Sequence, residues 1–450
     1  MELSSGGAFL RSLEDAAGAD RAPAVLAALD GEPSVSVRLN PFKTGDGIPE
    51  IAAGAAEVPW NRHGRFLEKR PSFTLDPVFH TGAYYVQDSS AMAPGHCLRT
   101  VLPENPGRPL RVLDLCAAPG GKTTDLATSL RERDGSSFLL VANEAVRQRA
   151  SVLCGNVALW GDPNVAVTSA DPAAFAACEG FFDVILADVP CSGEGMFRKD
   201  GDARQMWSED NVALCEARQR RIIGDVWPAL APGGTLVYST CTFNSRENDG
   251  NVKWIAGSLG AEPLKVRMPF DGIIETEYGV LLMPGLVRGE GQYCAVLRKD
   301  DGPSRNFRPG RPRGKRHPAI PGLFSGSMVF EDRGGSIFAV PEEIAPELEA
   351  VAGLGPLMTG TAVGDLKAGK LVPHADLALS IALAPEAFRR AELDRQSALS
   401  FLHGDAIRLD GAERGILLLG YGGYGLGFVN NLGNRCNNLL PRGRRIKMDI

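Results

Sequence analysis

The sequence predicts an α/β fold: a mostly parallel sheet, preceded by a small α+β domain and followed by a β-rich module. Three observations lead there. Between residues 111 and 300, apolar runs alternate with helical patterns, as in a parallel sheet whose crossover helices cover both faces. The first run, Arg111-Val112-Leu113-Asp114-Leu115, ends in the small-residue turn Cys116-Ala117-Ala118-Pro119-Gly120-Gly121-Lys122, just before a helical segment. Beyond residue 300 the strands shorten and glycines cluster, as in Gly420-Tyr421-Gly422-Gly423-Tyr424-Gly425.

A chain of 450 residues exceeds what one core usually organises, so several domains are expected. With 44% hydrophobic and 23% charged residues the composition is that of a globular protein. No apolar run reaches the roughly 18 residues that a membrane-spanning helix needs. The first ten residues lack the basic start and apolar core of a signal peptide, so a cytoplasmic location is expected. The nine cysteines are scattered and never spaced as Cys-x-x-Cys, and the six histidines are dispersed. That pattern argues against a disulfide framework and against a metal site. Cys97, Cys154, Cys178, Cys215, Cys294 and Cys436 read as small buried hydrophobes.

Net charge is −6, yet residues 301–450 carry 19 basic and 16 acidic side chains, a net of +3 against −9 for the rest. Two clusters concentrate it: Arg305, Arg308, Arg311, Arg313, Lys315 and Arg316, then Arg435, Arg442, Arg444, Arg445 and Lys447. One such run is ordinarily solvated surface; two on one chain point towards nucleic acid.

Taken in order, residues 7–29 carry apolar positions at helical spacing and predict one or two amphipathic helices packed on a small domain. Residues 35–40 alternate as a strand with Arg38 on its polar face, and Pro41 ends it. Residues 44–57 read as a loop and short helix, and 58–80 as a stretch rich in proline, aromatics and bases. Asp88-Ser89-Ser90 opens a helix, and 103–109 is a linker. Strands are predicted at 111–116, 138–143, 164–169, 183–188 and 234–240, then a hairpin at 278–283 and 291–298. Residues 301–316 form a basic linker, and 320–372 short strands with one helix near 342–350. An amphipathic helical pattern covers 376–403, with strands and glycine turns after 405. The expected domains are 1–90, 91–300, 301–375 and 376–450.

The turn at 116–122 resembles a cofactor-binding turn, and spacing separates three ligands. A phosphate-cradling loop needs glycine five positions before the Gly-Lys pair, and Cys116 stands there. A dinucleotide fingerprint needs Gly-x-Gly-x-x-Gly, and only Gly120-Gly121 is present. S-adenosylmethionine remains: Asp114 lies in the strand, and Glu144 follows the next strand about 20 residues on, where a carboxylate can take ribose hydroxyls. Asp114, Glu144, Asp171 and Asp188 place one acid at each of four successive strand ends.

The fourth strand runs into Asp188-Val189-Pro190-Cys191-Ser192-Gly193-Glu194-Gly195 and the fifth into Ser239-Thr240-Cys241-Thr242. In this topology the loops after both strands are expected beside the end of the first, so that both thiols face one pocket. Carbon 5 of cytosine is a poor nucleophile until a thiolate adds to carbon 6. An acid near ring nitrogen 3, for which Asp188 is placed, supports that addition. A second thiol can then assist loss of the carbon 5 proton.

With these motifs the chain resembles the Nop/Sun family of RNA 5-methylcytosine methyltransferases, in its bacterial RsmF-type ribosomal RNA branch. The resemblance implies a Rossmann-like, S-adenosylmethionine-dependent methyltransferase domain with a PUA-like RNA-binding module at the C-terminus. It assigns Cys241 as nucleophile and Cys191 to product release. It assigns Glu144, Asp171 and Asp188, with the turn Cys116, Ala117, Ala118, Pro119, Gly120, Gly121 and Lys122, to the cofactor. Arg38, Asn40 and Lys43 resemble the family's Arg-x-Asn-x-x-Lys element, 85–92 the entrance to its catalytic domain, and 426–428 with 438–441 its PUA-like module. Phe428 and Asn430 stand where the family usually has Trp and Lys. Ribosomal RNA, 16S within the small subunit, is the implied substrate of a monomer that needs neither metal nor membrane. A DNA-type enzyme would attack with the Pro-Cys thiol and needs no Cys241. A non-catalytic assembly factor would not need both thiols and every strand-end acid.

Overall fold

Apolar runs that alternate with helical patterns become the centre of the molecule. The structure is a computed structural model that describes residues 6–102, 107–300, 302, 314–367 and 370–450. In chain order the central elements are β1 (Leu110–Asp114), α1 (Gly121–Asp134), β2 (Phe138–Asn143), α2 (Arg147–Trp160), β3 (Val165–Thr168) and β4 (Phe182–Asp188). They continue with α3 (Gly201–Met206), α4 (Glu209–Val226), β5 (Leu230–Thr240), α5 (Asp249–Leu259), β6 (Gly279–Leu282), β7 (Gln292–Lys299) and, much later, β8 (Met358–Thr359).

Across the sheet the order is Ile274–Glu275, β6, β7, β5, β4, β1, β2, β3, β8, with Ala261–Leu264 also pairing β7. The pairs from β3 through β1 to β5 are parallel, whereas β7 lies antiparallel on β5 and β8 antiparallel on β3. Winding reverses at β1, so the crevice above the carboxyl ends of β1 and β4 is the switch point where such sheets bind ligands. β4 adjoins β1 directly and β5 lies one strand beyond it, rather than both loops flanking β1.

Successive residues of β1 divide between the two faces. Leu113 joins Leu139, Val141, Ile185 and Leu236 in one core, and Val112 joins Leu140, Ala142, Val184 and Val237 in the other. Burial on both faces explains the near-continuous apolar runs.

Three expectations change in the tertiary structure. The helices Gly6–Ala17 and Ala22–Leu29 do not pack on a small N-terminal domain; Phe9, Leu13 and Val25 enter the core of the central sheet. Phe9 meets Trp207 edge-on at 5.2 Å and Phe197 at 5.5 Å. Their apolar stripe goes where large apolar area is available, because the small sheet made by Glu57–Val58, Asn61–Leu67, Val35–Leu39 and Tyr84–Val86 closes its own core around Val37, Leu39, Phe73 and Tyr84. Within the stretch 58–80, Asn61–Leu67 is thus a strand.

Residues 376–403 are not one helix. Ala375–Leu379 and Arg395–His403 are separated by the strand Arg390–Glu392, and Pro385 interrupts the helical period between them. The Asp394 carboxylate caps the second helix through the Ser397 amide at 2.7 Å. Of the predicted linkers, 103–106, 301 and 303–313 lie outside the described residues. So do Arg305, Arg308, Arg311 and Arg313, while Lys315 and Arg316 stand in the strand Lys315–His317.

The third change concerns the polar face of Val35–Leu39. Arg38 is completely buried, with its guanidinium stacked 4.5 Å from the Trp160 ring. It donates to Gln87 Oε1 at 2.9 Å and to the Gly121 carbonyl at 3.3 Å. Asn40 Nδ2 donates to the Trp160 carbonyl at 3.0 Å, and Lys43 Nζ to the carbonyls of Thr81 and Leu159 at 2.6 and 2.7 Å. All three polar residues of the N-terminal motif hold α1 and α2 in place; Arg38 and Asn40 are buried and Lys43 is half-buried.

The C-terminal part holds a five-stranded sheet that begins at Lys315–His317 and a four-stranded sheet of Arg390–Glu392, Gly415–Tyr421, Tyr424–Asn431 and Cys436–Asn438. One core joins them, since Phe330, Ile337 and Val363 pack with Leu418 and Phe428. Phe428 is thereby an interior residue, its ring centre 4.7 Å from that of Phe388 in a tilted contact.

Candidate active site

The turn after β1 is held from three sides. The Ala117 amide donates to the Asn143 carbonyl at 2.8 Å. Asn156 Nδ2, from α2, and the Tyr85 hydroxyl, from the N-terminal sheet, both donate to the Pro119 carbonyl, at 2.8 and 3.2 Å. Arg149 donates to the Ala118 carbonyl at 3.1 Å. Gly120 has φ +114°, which side chains rarely adopt, and a Cβ there would come within 3.2 Å of Leu153. Two conditions therefore require glycine: the backbone angle and the approach of α2. The peptide before Pro119 is cis.

The strand-end acids differ in their surroundings. Asp114 is fully buried; its Oδ2 accepts from the Thr123 hydroxyl at 2.6 Å while its Oδ1 has no partner. Burial pushes its pKa up to about 7, with the Thr123 bond working against the shift. Glu144 is 4% exposed, accepts from the Val146 amide at 2.9 Å and pairs with Arg149 at 3.2 Å. Asp171 is exposed at the end of β3, where its carboxylate caps the Ala173 amide at 3.0 Å. Asp188 Oδ2 pairs with Lys122 at 2.9 Å, and its Oδ1 accepts from Ser239 Oγ at 2.7 Å and Gln292 Nε2 at 3.2 Å. Burial works against the Lys122 cation, but the Asp188 carboxylate, through its charge and its hydrogen bond, more than offsets that and the Lys122 pKa is raised.

An unpartnered, buried carboxylate oxygen beside a glycine turn is an acceptor for a ligand's donor. S-adenosylmethionine carries an ammonium, a ribose diol and an adenine amine, all donors, which acids at the ends of β1 and its neighbouring strands suit as acceptors. The residues present thus fit the cofactor.

Cys191 and Cys241 lie with their sulfurs 3.2 Å apart. They border one cleft of about 510 Å³ with Cys116, Ala118, Asp188 and Arg149. Of the predicted residues, Cys116, Ala118, Asp188, Cys191 and Cys241 therefore meet, with Lys122 joined through Asp188. Glu144 stands behind Arg149, and Asp171 remains two strands from β1.

Two buried carboxylates that the sequence motifs left without a role set the sulfur spacing. Glu194, on the first cysteine loop, accepts from the Phe243 and Asn244 amides of the second at 2.6 and 3.0 Å and from Trp207 Nε1 at 2.8 Å. Glu247, on the second loop, accepts from the Ser192 amide of the first at 3.0 Å and from Gln219 Nε2 at 2.7 Å. Asn244 Nδ2 donates to both, at 3.1 and 2.8 Å. Each loop's acid grips the other loop's backbone. The only sequence signal was a run of polar residues, Asn244 to Asn248, just after an apolar strand.

The two thiols have unequal electrostatic surroundings. The bond with Cys241, then burial, then the negative charges of Glu247 and Asp188 push the Cys191 thiol well above its ordinary range, so Cys191 keeps its proton. The Lys122 ammonium interacts electrostatically with the Cys241 sulfur. Among the described residues no group of three or more His, Cys, Asp or Glu could hold a metal, and no helix is long and apolar enough to cross a membrane.

Comparison with known proteins agrees with this architecture. Residues 100–298 match the 16S rRNA methyltransferase RsmB/F family, 7–89 the N-terminal domain of 16S rRNA methyltransferase RsmF, and 388–446 the methyltransferase RsmF PUA domain. The chain is 32% identical to the ribosomal RNA small subunit methyltransferase F of Shewanella loihica over 90% of its length and 88% of the relative's. It is 32% identical to the protein of the same name from Serratia proteamaculans, over 86% and 84%. A methyltransferase homologue from Pyrococcus horikoshii superposes with TM-score 0.56 at 26% identity, covering 66% of this chain and 96% of that one. NSun6 from the same organism shares the fold, with TM-score 0.52 at 18% identity, over 65% and 98%. The site stands where this family's catalytic domain is matched, flanked by its N-terminal and PUA domains, and the chain belongs to the RsmB/F family of 16S rRNA methyltransferases.

Proposed function

We propose that this enzyme, acting as a monomer, transfers a methyl group from S-adenosylmethionine to carbon 5 of a cytosine in 16S ribosomal RNA through a covalent bond to Cys241. The observation that carries the reading is the pair of sulfurs 3.2 Å apart with unequal neighbours. Cys241, beside the Lys122 ammonium, adds as thiolate to carbon 6. The Lys122 ammonium, held by Asp188 at 2.9 Å, stabilises the negative charge that addition pushes onto the ring, and Asp188 passes a proton from Lys122 to ring nitrogen 3. The cofactor, held by the turn 116–122 with Asp114, Glu144 and Asp171, supplies an electrophilic methyl group.

Carbon 5 takes the methyl group and still carries its proton. Loss of that proton to water in the open cleft and cleavage of the bond between carbon 6 and Cys241 restore the aromatic ring and return the thiolate. Cys191, protonated and in contact with the departing sulfur, assists release. The PUA domain and the C-terminal bases hold the RNA.

Bisulfite sequencing of 16S ribosomal RNA from a strain lacking the gene tests this. One or more cytosines should lose protection and regain it when the gene is restored. An unchanged protection pattern sinks the proposal.

A further inference from the structure

Part of the thiol cleft's lining takes no part in the chemistry above. It comes from the segment after Cys191 and from α3, where the apolar Met196, Ala203 and Met206 stand beside Asp200 and Asp202. Met206 is 70% exposed, the most exposed large hydrophobic side chain among the described residues, and Met196 is 37% exposed. Met206 adds little to the stability of the free protein, because most of its thioether arm remains in water.

The backbone beneath them is nevertheless fixed. Trp207, directly after Met206, is 3% exposed, packs on Phe9 and donates its indole N–H to Glu194. The Met196 carbonyl accepts from the Lys199 and Asp200 amides, both at 2.8 Å. The Asp200 carboxylate caps α3 through the Asp202 and Ala203 amides at 3.0 and 3.2 Å. One flexible apolar side chain, Met206, thus projects into water from an anchored support, with the part-buried Met196 beside it in the cleft lining.

Charge decides which part of an RNA this wall suits. Asp200 and Asp202 carry negative charge on α3, so a phosphate is repelled there. Arg149 and Arg218 line the same cleft and offer phosphate partners. The remaining occupant for the methionines is the apolar face of a base. To reach Cys241 inside the cleft, a cytosine must leave its stack, which costs a few kcal/mol when it is paired. Apolar wedges, methionine among them, lower that cost by occupying the gap.

We propose that Met206, supported by Met196, is the wedge that stacks on the bases beside the extruded cytosine. This rests on the reading of the cleft as an RNA cytosine site. The side chains act in base extrusion rather than in bond formation, so their effect depends on whether the target is paired.

The test uses the full chain, S-adenosylmethionine and a 16S rRNA fragment that the wild type methylates, presented as a single strand and annealed to its complement. For Met206→Ala, and for Met206→Ala with Met196→Ala, the ratio of kcat/KM on annealed to single-stranded RNA should fall about tenfold relative to wild type. A 2-aminopurine beside the target should brighten on binding wild type and brighten less with the variants. An unchanged ratio, whether activity falls equally on both RNAs or on neither, overturns the wedge while leaving the methyltransferase reading intact. Failure of the wild type to methylate any 16S fragment overturns that reading and the wedge with it.

Discussion

The two ends of the cleft use buried acids in opposite ways. At the cofactor end Asp114 is fully buried with one carboxylate oxygen unpartnered. At the thiol end Glu194 and Glu247 are as deeply buried, and every oxygen accepts at least one hydrogen bond. A buried acceptor left open costs free energy, whereas a saturated one stiffens its surroundings. The difference separates an acid left with an open acceptor, which the proposed cofactor would fill, from acids that serve the fold, although all three are carboxylates without a dedicated cation.

The largest effects should come from the thiols themselves. Cys241→Ala should abolish methylation and any covalent RNA adduct, because carbon 5 stays unreactive without addition at carbon 6. Cys191→Ala should still add and transfer but release slowly, so that an adduct accumulates as a retarded band on a denaturing gel. The reverse pattern would assign attack to Cys191 and make the contrast between their surroundings irrelevant.

Breaking the brace should come next. Glu247→Ala leaves the Ser192 amide without an acceptor and takes one from Gln219 and from Asn244, which keep the Pro190 carbonyl and Glu194, at roughly 1–3 kcal/mol for a buried donor left unpaired. Urea denaturation should show a loss of about 3 kcal/mol, and kcat should fall with little change in cofactor affinity. A variant as stable and active as wild type would show that the sulfur spacing does not depend on Glu247.

Asp114→Asn sharpens the comparison from the other end. Cofactor affinity, measured by calorimetry, should drop about tenfold, since one charged acceptor is removed. The stability of the free protein should move the opposite way. Burial raises the Asp114 pKa to about 7, above its unfolded value of about 4, so its contribution is fully present below pH 4 and lost as pH rises through 7. Asp114→Asn should therefore melt above wild type at pH 8, and the gap should close as pH falls towards 4. Equal melting temperatures at pH 8 would mean that ionised Asp114 finds a partner in the free protein.

The smallest effect lies far from both ends. Arg435, Arg442 and Lys447 are exposed, whereas Arg444 is ion-paired with Asp376 in a half-buried setting. Neutralising the three exposed bases should weaken RNA binding and flatten its salt dependence by about 0.7–0.9 in slope for each phosphate no longer neutralised, with kcat at saturating RNA unchanged. An unaltered salt slope would remove this cluster from the RNA interface.

What the sequence alone determined is local. The period of the apolar runs set the strands of the central sheet, since burial on both faces demands continuous apolar residues. The small-residue turn and the Pro-Cys and Thr-Cys blocks marked the site, because chemistry at strand ends needs particular side chains at particular steps from the strand. What only the tertiary structure decided is where polar groups far apart in the chain find partners. Glu194 meets the Asn244 amide 50 residues away, Glu247 meets the Ser192 amide across 55, and Arg38 meets Thr124 across 86. No periodicity encodes such pairs: a buried polar group needs a partner but does not specify its distance along the chain. For the same reason Arg38 resembled a solvent-facing residue, and the amphipathic N-terminal helices gave no sign that their apolar stripe belonged to the catalytic core. An apolar stripe records that it must be covered, and the fold alone chooses what covers it.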